Sequence, residues 1–312
     1  KLFSQSIVKN TNIQMNNIST SQNKKIWTLA FATAVVSVLF SFMGAPFLRA
    51  LSAKAKPILF WGVGATMVAI LFLVQLTLGA VYVGAVWTTL GFYSELEKRG
   101  VSWKKTSLIA LLSGALFGIL SYMFAEKGLL KLDLAEQLTA PILQTLKQIN
   151  PDEQISMEQL IQYMPGALIA TLLCSLAVGF IFESKIFQLF QFQREKTISG
   201  LKWLEFRLPD QFIWLSMFGF LFSLLKIDTL VSSLIAEKIK IVAINISIFS
   251  VVAFFLQGIA VFEYVTRFYR VGTFNKSLTY VLIFVWLAPA IGFMGLIDFW
   301  ADFRKMVRKS LK

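Results

Sequence analysis

Residues 57–94 read PILFWGVGATMVAILFLVQLTLGAVYVGAVWTTLGFYS, thirty-eight positions without one Asp, Glu, Lys or Arg. Wound as one helix at about 1.5 Å per residue, this stretch would reach about 57 Å, nearly twice the roughly 30 Å of a hydrocarbon core. It therefore folds back near Gln75 into a hairpin with arms 57–74 and 76–94. Six further runs have the same character: Ile26–Gly44, Thr106–Ala125, Pro165–Phe182, Asp210–Leu225, Ile241–Tyr264 and Leu278–Phe299. Hydrocarbon offers no water to an unpaired amide, so long apolar runs cross as helices and not as a barrel of short alternating strands. The expected fold is an all-α polytopic transmembrane bundle of about eight spanning helices.

Composition agrees and excludes. Of 312 residues, 56% are hydrophobic and 15% charged, with mean hydropathy +0.68, which is more apolar than a soluble single-core domain holds. Zero histidines and one cysteine remove a disulfide, the usual Cys/His zinc site, haem attachment through Cys-x-x-Cys-His, and Ser-His-Asp or Cys-His catalysis within this chain. No Gly-x-x-x-x-Gly-Lys-Ser/Thr run is present to cradle a nucleotide's phosphates. The expectations are a protein that is not an enzyme, with no cofactor and no metal, placed multi-pass in the bacterial cytoplasmic (inner) membrane.

Within the domain 26–303, proline marks the helix starts. Pro57 and Pro165 are read at the first turn of their segments, and Pro209 just precedes another. Pro289 lies inside the last run beside Gly292 and Gly295 and predicts a kink or break there. Outside the membrane, residues 1–25 form a polar tether without apolar periodicity. The loop 126–164 carries Leu138, Ile142, Leu146 and Ile149 at helical spacing, and Asn150-Pro151-Asp152-Glu153 reads as the start of a second short helix. Residues 183–208 interleave Lys and Arg with Phe and Trp; beside two spanning segments this is read as a helix in the headgroup layer, not a nucleic-acid face. The basic tail 304–312 is read as attracted to anionic lipid heads.

Basic residues are retained on the cytoplasmic side. Eight crossings divide the 30 Lys and Arg into 15 and 15. If the last run broke at Pro289 and returned to its own side, the division would be 20 and 10, with the compact basic loops inside and the acidic loop outside.

Polar groups set in apolar runs are the candidates for function. In the seventh run Ser250, Gln257 and Tyr264 share one face with Ala253 and Ala260 between them. That stripe is either the wall of a solute pocket or interhelical hydrogen-bond glue. Glu263 stands four residues before Arg267, suiting an ion pair at the interface or a proton-coupled role. Asp298 and Asp302 are four apart on one helical face and are followed by Arg304; they could share a cation or pair with the neighbouring basic groups. Small residues four apart, as in Ala30/Ala34, Ala80/Gly84, Gly114/Gly118 and Gly166/Ala170, let helix backbones approach within the bundle or against a partner helix.

Three stretches, Arg207-Leu208-Pro209-Asp210 with Trp214, Gln257-Gly258-Ile259-Ala260, and Gly295-Leu296-Ile297-Asp298-Phe299-Trp300-Ala301-Asp302-Phe303-Arg304, resemble the YybS-like family of bacterial membrane proteins, a domain of unknown function. That family is grouped by remote similarity with the substrate-binding S-components of energy-coupling-factor vitamin transporters. The resemblance implies a membrane-embedded pocket for a small molecule while separate subunits hydrolyse ATP. It also implies that a small-residue face on the first helix, here Ala30 and Ala34, docks the coupling subunit. S-components have about six helices, against eight apolar runs here. The functional expectation is an S-component-like solute-binding or transport-related role, with Ser250, Gln257 and Glu263 as lining. The alternative is a non-catalytic subunit or assembly factor of a larger membrane complex. Expected partners are the lipid bilayer, membrane-protein subunits and a small-molecule ligand, with no nucleic acid.

Overall fold

The computed structural model describes residues 23–40, 43–127, 134–149, 156–192, 203–225 and 232–309. Among them are twelve α-helices and no strand: α1 (23–39), α2 (Gly44–Lys54), α3 (Pro57–Leu73), α4 (Thr77–Lys98), α5 (Trp103–Lys127), α6 (Leu134–Ile149), α7 (Met157–Leu189), α8 (Phe212–Leu224), α9 (Ser233–Phe268), α10 (Thr273–Leu282), α11 (Ala288–Ala301) and α12 (Phe303–Lys309). The described residues of each of the eight apolar runs are mainly helical. Three helical stretches are both long and apolar enough to cross a membrane, Trp103–Glu126, Met157–Leu189 and Ile235–Phe268, while α3, α8 and α11 are shorter apolar helices.

The hairpin of residues 57–94 turns at Gln75, which takes the left-handed conformation at φ 62°. The Leu76 N–H then returns to the Leu71 carbonyl at 2.9 Å, closing the last turn of α3 by a Schellman-type bond. The same closure ends α4 at Gly100, α7 at Gln191 and α9 at Arg270. Three of these four residues are not glycine, so the sequence carried no breaker where the chain turns.

Helix packing follows the small residues. Gly114 and Gly118 of α5 lie against Ala85 of α4, and Gly64 of α3 lies against Trp87, whose Nε1 donates to the Phe60 carbonyl at 3.2 Å. α4 and α5 thus run antiparallel, and Gly118 also meets Leu168 of α7. These faces join the chain's own helices.

The contacts fix which helix ends lie together. Arg49 of α2 joins Glu97 near the end of α4 to Glu183 near the end of α7. Trp103, which opens α5, packs on Phe206 before α8. Leu208 is bonded to Gln257 in the last third of α9. The ends of α4, α7 and α9 and the starts of α5 and α8 therefore share one end of the bundle. At the other end lie the Gln75 turn, α6, and the starts of α7 and α9. Six helices, α3, α4, α5, α7, α8 and α9, run between the two ends.

The other two apolar runs have both of their ends tied to the same end of the bundle. Lys25 at the start of α1 reaches Gln191 beyond α7, and α2 carries Arg49 at the same end. Ala45, at the start of α2, lies against Gly179, one helical turn before Glu183. The last run, α10 to α11, starts beside Glu263 through Lys276 and finishes beside Gln257 through Asp298. α11 packs closely on α9 around residues 254–258: a Cβ on Gly258 would strike the Ile291 carbonyl, and one on Gly295 the Phe254 carbonyl. Had this run descended fully, Asp298 would have lain near Asn245, twelve residues or about 18 Å lower along α9.

The irregularity expected at Pro289 is present: a π-helical stretch, Ile283–Leu287, interrupts the run, and Pro289 sits in the first turn of α11, where a missing N–H is tolerated. Pro165 lies inside α7 and not at a start, because α7 begins at Met157 behind a capping box of Ser156 and Gln159. The second short helix of the loop is thereby the first part of α7, while Asn150–Glu153 lie outside the described residues. The amphipathic helix of the loop is α6. Among the described residues of 183–208, residues 183–189 complete α7 and Trp203–Glu205 form one 3-10 turn, while residues 193–202 of the expected headgroup helix lie outside the described residues. Their aromatics pack inward instead, Phe187 and Phe206 being buried.

Candidate functional site

The stretches that carry the family resemblance converge. Gln257 is fully buried on α9, on the face that also buries Ser250, Ala253 and Ala260. Its Oε1 accepts from the Leu208 N–H at 3.0 Å, and its Nε2 donates to Asp298 Oδ2 at 3.1 Å. Asp298, 1% exposed, accepts in addition from the Phe303 N–H at 3.0 Å and pairs with Arg304 Nη1 at 3.5 Å. Arg304, 6% exposed, donates through Nη2 to the Phe206 carbonyl at 2.7 Å. Beside this chain, Arg207 Nη1 meets Asp302 Oδ2 at 3.4 Å and Nη2 meets the Phe299 carbonyl at 3.4 Å.

Each residue is placed by a local device. Gly258 and Gly295 remove the side chains that would hold α9 and α11 apart, so the neighbouring Gln257 and Asp298 come within hydrogen-bond reach. Asp302 caps α11 in the left-handed conformation at φ 43°, which Asp tolerates better than most residues, and this turn brings Arg304 back onto Asp298. The two carboxylates are thus not on one face: Asp298 serves Gln257 and Arg304, and Asp302 serves Arg207. Burial draws the Arg304 guanidinium below its ordinary pKa, opposed by the Asp298 and Asp302 carboxylates. Arg304, read from sequence as part of a lipid-seeking tail, is turned inward by this pairing.

Glu263 belongs to a different cluster. At the end of α9 it accepts from Arg267 Nε at 2.7 Å, from Lys276 Nζ at 2.6 Å and from the Tyr280 hydroxyl, tying α10 to α9. Ser250 is buried, and its Oγ has no hydrogen-bond partner among the described residues. The three candidate lining residues are therefore brought together only as Ser250 and Gln257. Ala30 is buried at 3% exposure and Ala34 is half-buried, so the small face of α1 turns toward the chain's own core, with Phe31 and Trp27 exposed.

One polar centre escaped sequence reading, and a second is built on a polar residue of the seventh run whose partners only the structure gives. The first is Arg49, 3% exposed, whose Nη2 lies 3.2 Å from Glu97 and 3.3 Å from Glu183 while Phe180 and Tyr93 pack against the guanidinium. Burial lowers its pKa, but Glu183 and Glu97 more than reverse that, leaving it raised. A lone charge flanked by Phe47-Leu48 and Ala50-Leu51 was the available signal. The second is Asn245, on the same helix as Gln257. It donates to the Gln162 carbonyl at 2.8 Å and accepts from the Gly166 N–H at 2.6 Å, the two backbone groups that an unbroken helix would join to each other. The carboxamide bridges the ladder where Pro165 disturbs it. Among the described residues no group of three His, Cys, Asp or Glu side chains could hold a metal ion.

Residues 26–299 match the family described as Predicted membrane protein (DUF2232). The chain belongs to this family. Membership agrees with the YybS-like resemblance and establishes a membrane protein whose activity the family description does not give. No curated protein and no solved structure matches the chain.

Proposed function

We propose that this chain is the non-catalytic, solute-binding membrane subunit of a transport assembly, with S-component-like architecture. The observation that carries this reading is the count of helices running from end to end of the bundle, six. This removes the departure that eight apolar runs posed, since the two additional runs enter and return at one end. The interior polar stripe of α9 supports it: Ser250 Oγ faces the bundle interior without a partner, on the side of the helix that presents Gln257. In this reading Ser250 contacts the solute, Gln257 holds the C-terminal element against α9, and Glu263 fixes the α9–α10 turn. The exposed apolar side of α1, with Trp27, Phe31, Leu39 and Phe40, is then the face for lipid or a partner subunit.

The test is a thermal-shift screen of purified protein against vitamins and their precursors, with native mass spectrometry for a co-purifying small molecule. Binding stabilises the folded state by mass action, so a ligand at a hundred times its Kd adds about 2.7 kcal/mol. A blank in both measurements overturns the proposal. The second reading, a scaffold subunit without a solute, is favoured by the full engagement of Gln257 and Glu263 in internal bonds. It expects stoichiometric membrane-protein partners in gentle detergent and no small molecule.

A further inference from the structure

The two ends of the bundle differ in charge far more than the sequence order suggests. With α1–α2 and α10–α12 both assigned to the end that holds Arg49 and Arg207, eighteen of the described Lys and Arg residues lie there, on α1, α2, the α4–α5 turn, α7 to α8, the α9–α10 turn and α12. Four lie at the opposite end: Lys127, Lys147, Lys238 and Lys240. Described acidic residues number eight and four. The first end therefore carries ten net positive charges and the second none. The even division that an eight-crossing reading gives arises because two returning elements are counted as crossings.

Lys and Arg in short segments next to apolar helices are retained on the cytoplasmic side, and anionic headgroups of that leaflet attract them. We infer that the basic end of this bundle meets the anionic phospholipid headgroups of the cytoplasmic leaflet, with α1–α2 and α10–α12 as re-entrant elements and residues 23 and 309 both on that side. The re-entrant C-terminal element needs an internal clamp, because a helix that stops within the apolar layer must satisfy its last carbonyls and following amides inside the protein. The Asp298 to Phe303 N–H bond and the Arg207 to Phe299 carbonyl bond do so, and the Arg304 to Phe206 carbonyl bond ties the element to the segment before α8. Lys305, Arg308 and Lys309 then project from α12, with Lys305 and Lys309 exposed, toward the headgroups. This arrangement goes beyond the solute-binding reading and holds whether or not a solute is found.

The experiment uses the full chain with its single cysteine removed by Cys174→Ser and one cysteine restored at a time: Lys104→Cys, Lys147→Cys, Lys309→Cys, and Lys305→Cys as a second tail position. Spheroplasts are treated with a membrane-impermeant maleimide before and after permeabilisation. The expected result is that Lys147→Cys reacts in intact spheroplasts, while Lys104→Cys and both tail positions react only after permeabilisation. Reaction of the tail positions together with Lys147→Cys shows that the last run crosses and overturns the inference. The inverse pattern, with Lys104→Cys and the tail reactive outside, overturns the assignment of the basic end to the cytoplasmic leaflet. A parallel measurement reads lipid retention by native mass spectrometry from vesicles of equal phosphatidylglycerol and phosphatidylcholine. Retained lipid is expected to be at least fivefold enriched in phosphatidylglycerol, with the enrichment reduced by Lys305→Gln plus Lys309→Gln. Equal retention of the two lipids overturns the headgroup contact.

Discussion

Replacing Asp298 by Ala removes one carboxylate that three donors share: the Gln257 amide, the Phe303 N–H and the Arg304 guanidinium. Arg304, 6% exposed, would keep the Phe206 carbonyl as its hydrogen-bond acceptor and only the more distant Asp302 carboxylate as counter-charge. Stripping a buried ion of its partner typically costs about 3–5 kcal/mol, mainly from the uncompensated charge. The loss falls on the docking of α11 and α12, because α9 keeps its own backbone ladder. Amide exchange over residues 288–309 should therefore accelerate by about a hundredfold, taking about 3 kcal/mol at about 1.4 kcal/mol per factor of ten, while α4 and α5 exchange as before. The double variant Asp298→Leu with Arg304→Leu removes both charges and leaves mainly Gln257 Nε2 unsatisfied, at about 1–3 kcal/mol. It should be less destabilised than Asp298→Ala alone, giving a coupling of about 2 kcal/mol in the cycle. Wild-type exchange over 288–309 in Asp298→Ala, or a double variant equal to the sum of its parts, would refute the clamp.

Gly258→Ala and Gly295→Ala should each lower the thermal midpoint in detergent by far more than Gly292→Ala, since the first two Cβ atoms run into α9–α11 backbone and the third meets nothing within 4 Å. Asn245→Leu should destabilise by about 1–3 kcal/mol through the two stranded groups at Pro165, and Pro165→Ala in the same chain should recover much of that by restoring a regular ladder, read by denaturant unfolding in micelles. Arg49→Met should cost about 3–5 kcal/mol by leaving Glu97 and Glu183 without their shared cation, and Arg49→Lys should not rescue it fully because an ammonium lacks the planar fork that packs on Phe180. A normally stable Arg49→Met protein would show that these carboxylates have other support.

The site was legible in the sequence residue by residue but not as a constellation. Gln257, Asp298, Asp302 and Arg304 stand out as polar groups in or beside apolar runs, and the small residues beside them announce close packing. Which carboxylate serves which cation was not readable, because Arg304 and Phe206 are 98 positions apart and meet only when α8, α9 and α11 assemble. Ser250 stood on the face of Gln257 by helical spacing and Glu263 was grouped with them as lining, yet the α10 side chains that claim Glu263 arrive from another helix.

Composition and run length alone determined the solvent and the secondary structure: stretches of about twenty apolar residues must bond their own amides in hydrocarbon, so each of them had to be helical. They could not determine which helices go through. A run that crosses and a run that dips and returns bury the same apolar side chains, and the difference lies in where their ends are tied. Here Lys25 to Gln191 at one terminus and Asp298, Arg304 and Arg207 at the other make those ties, through contacts made only in the folded bundle.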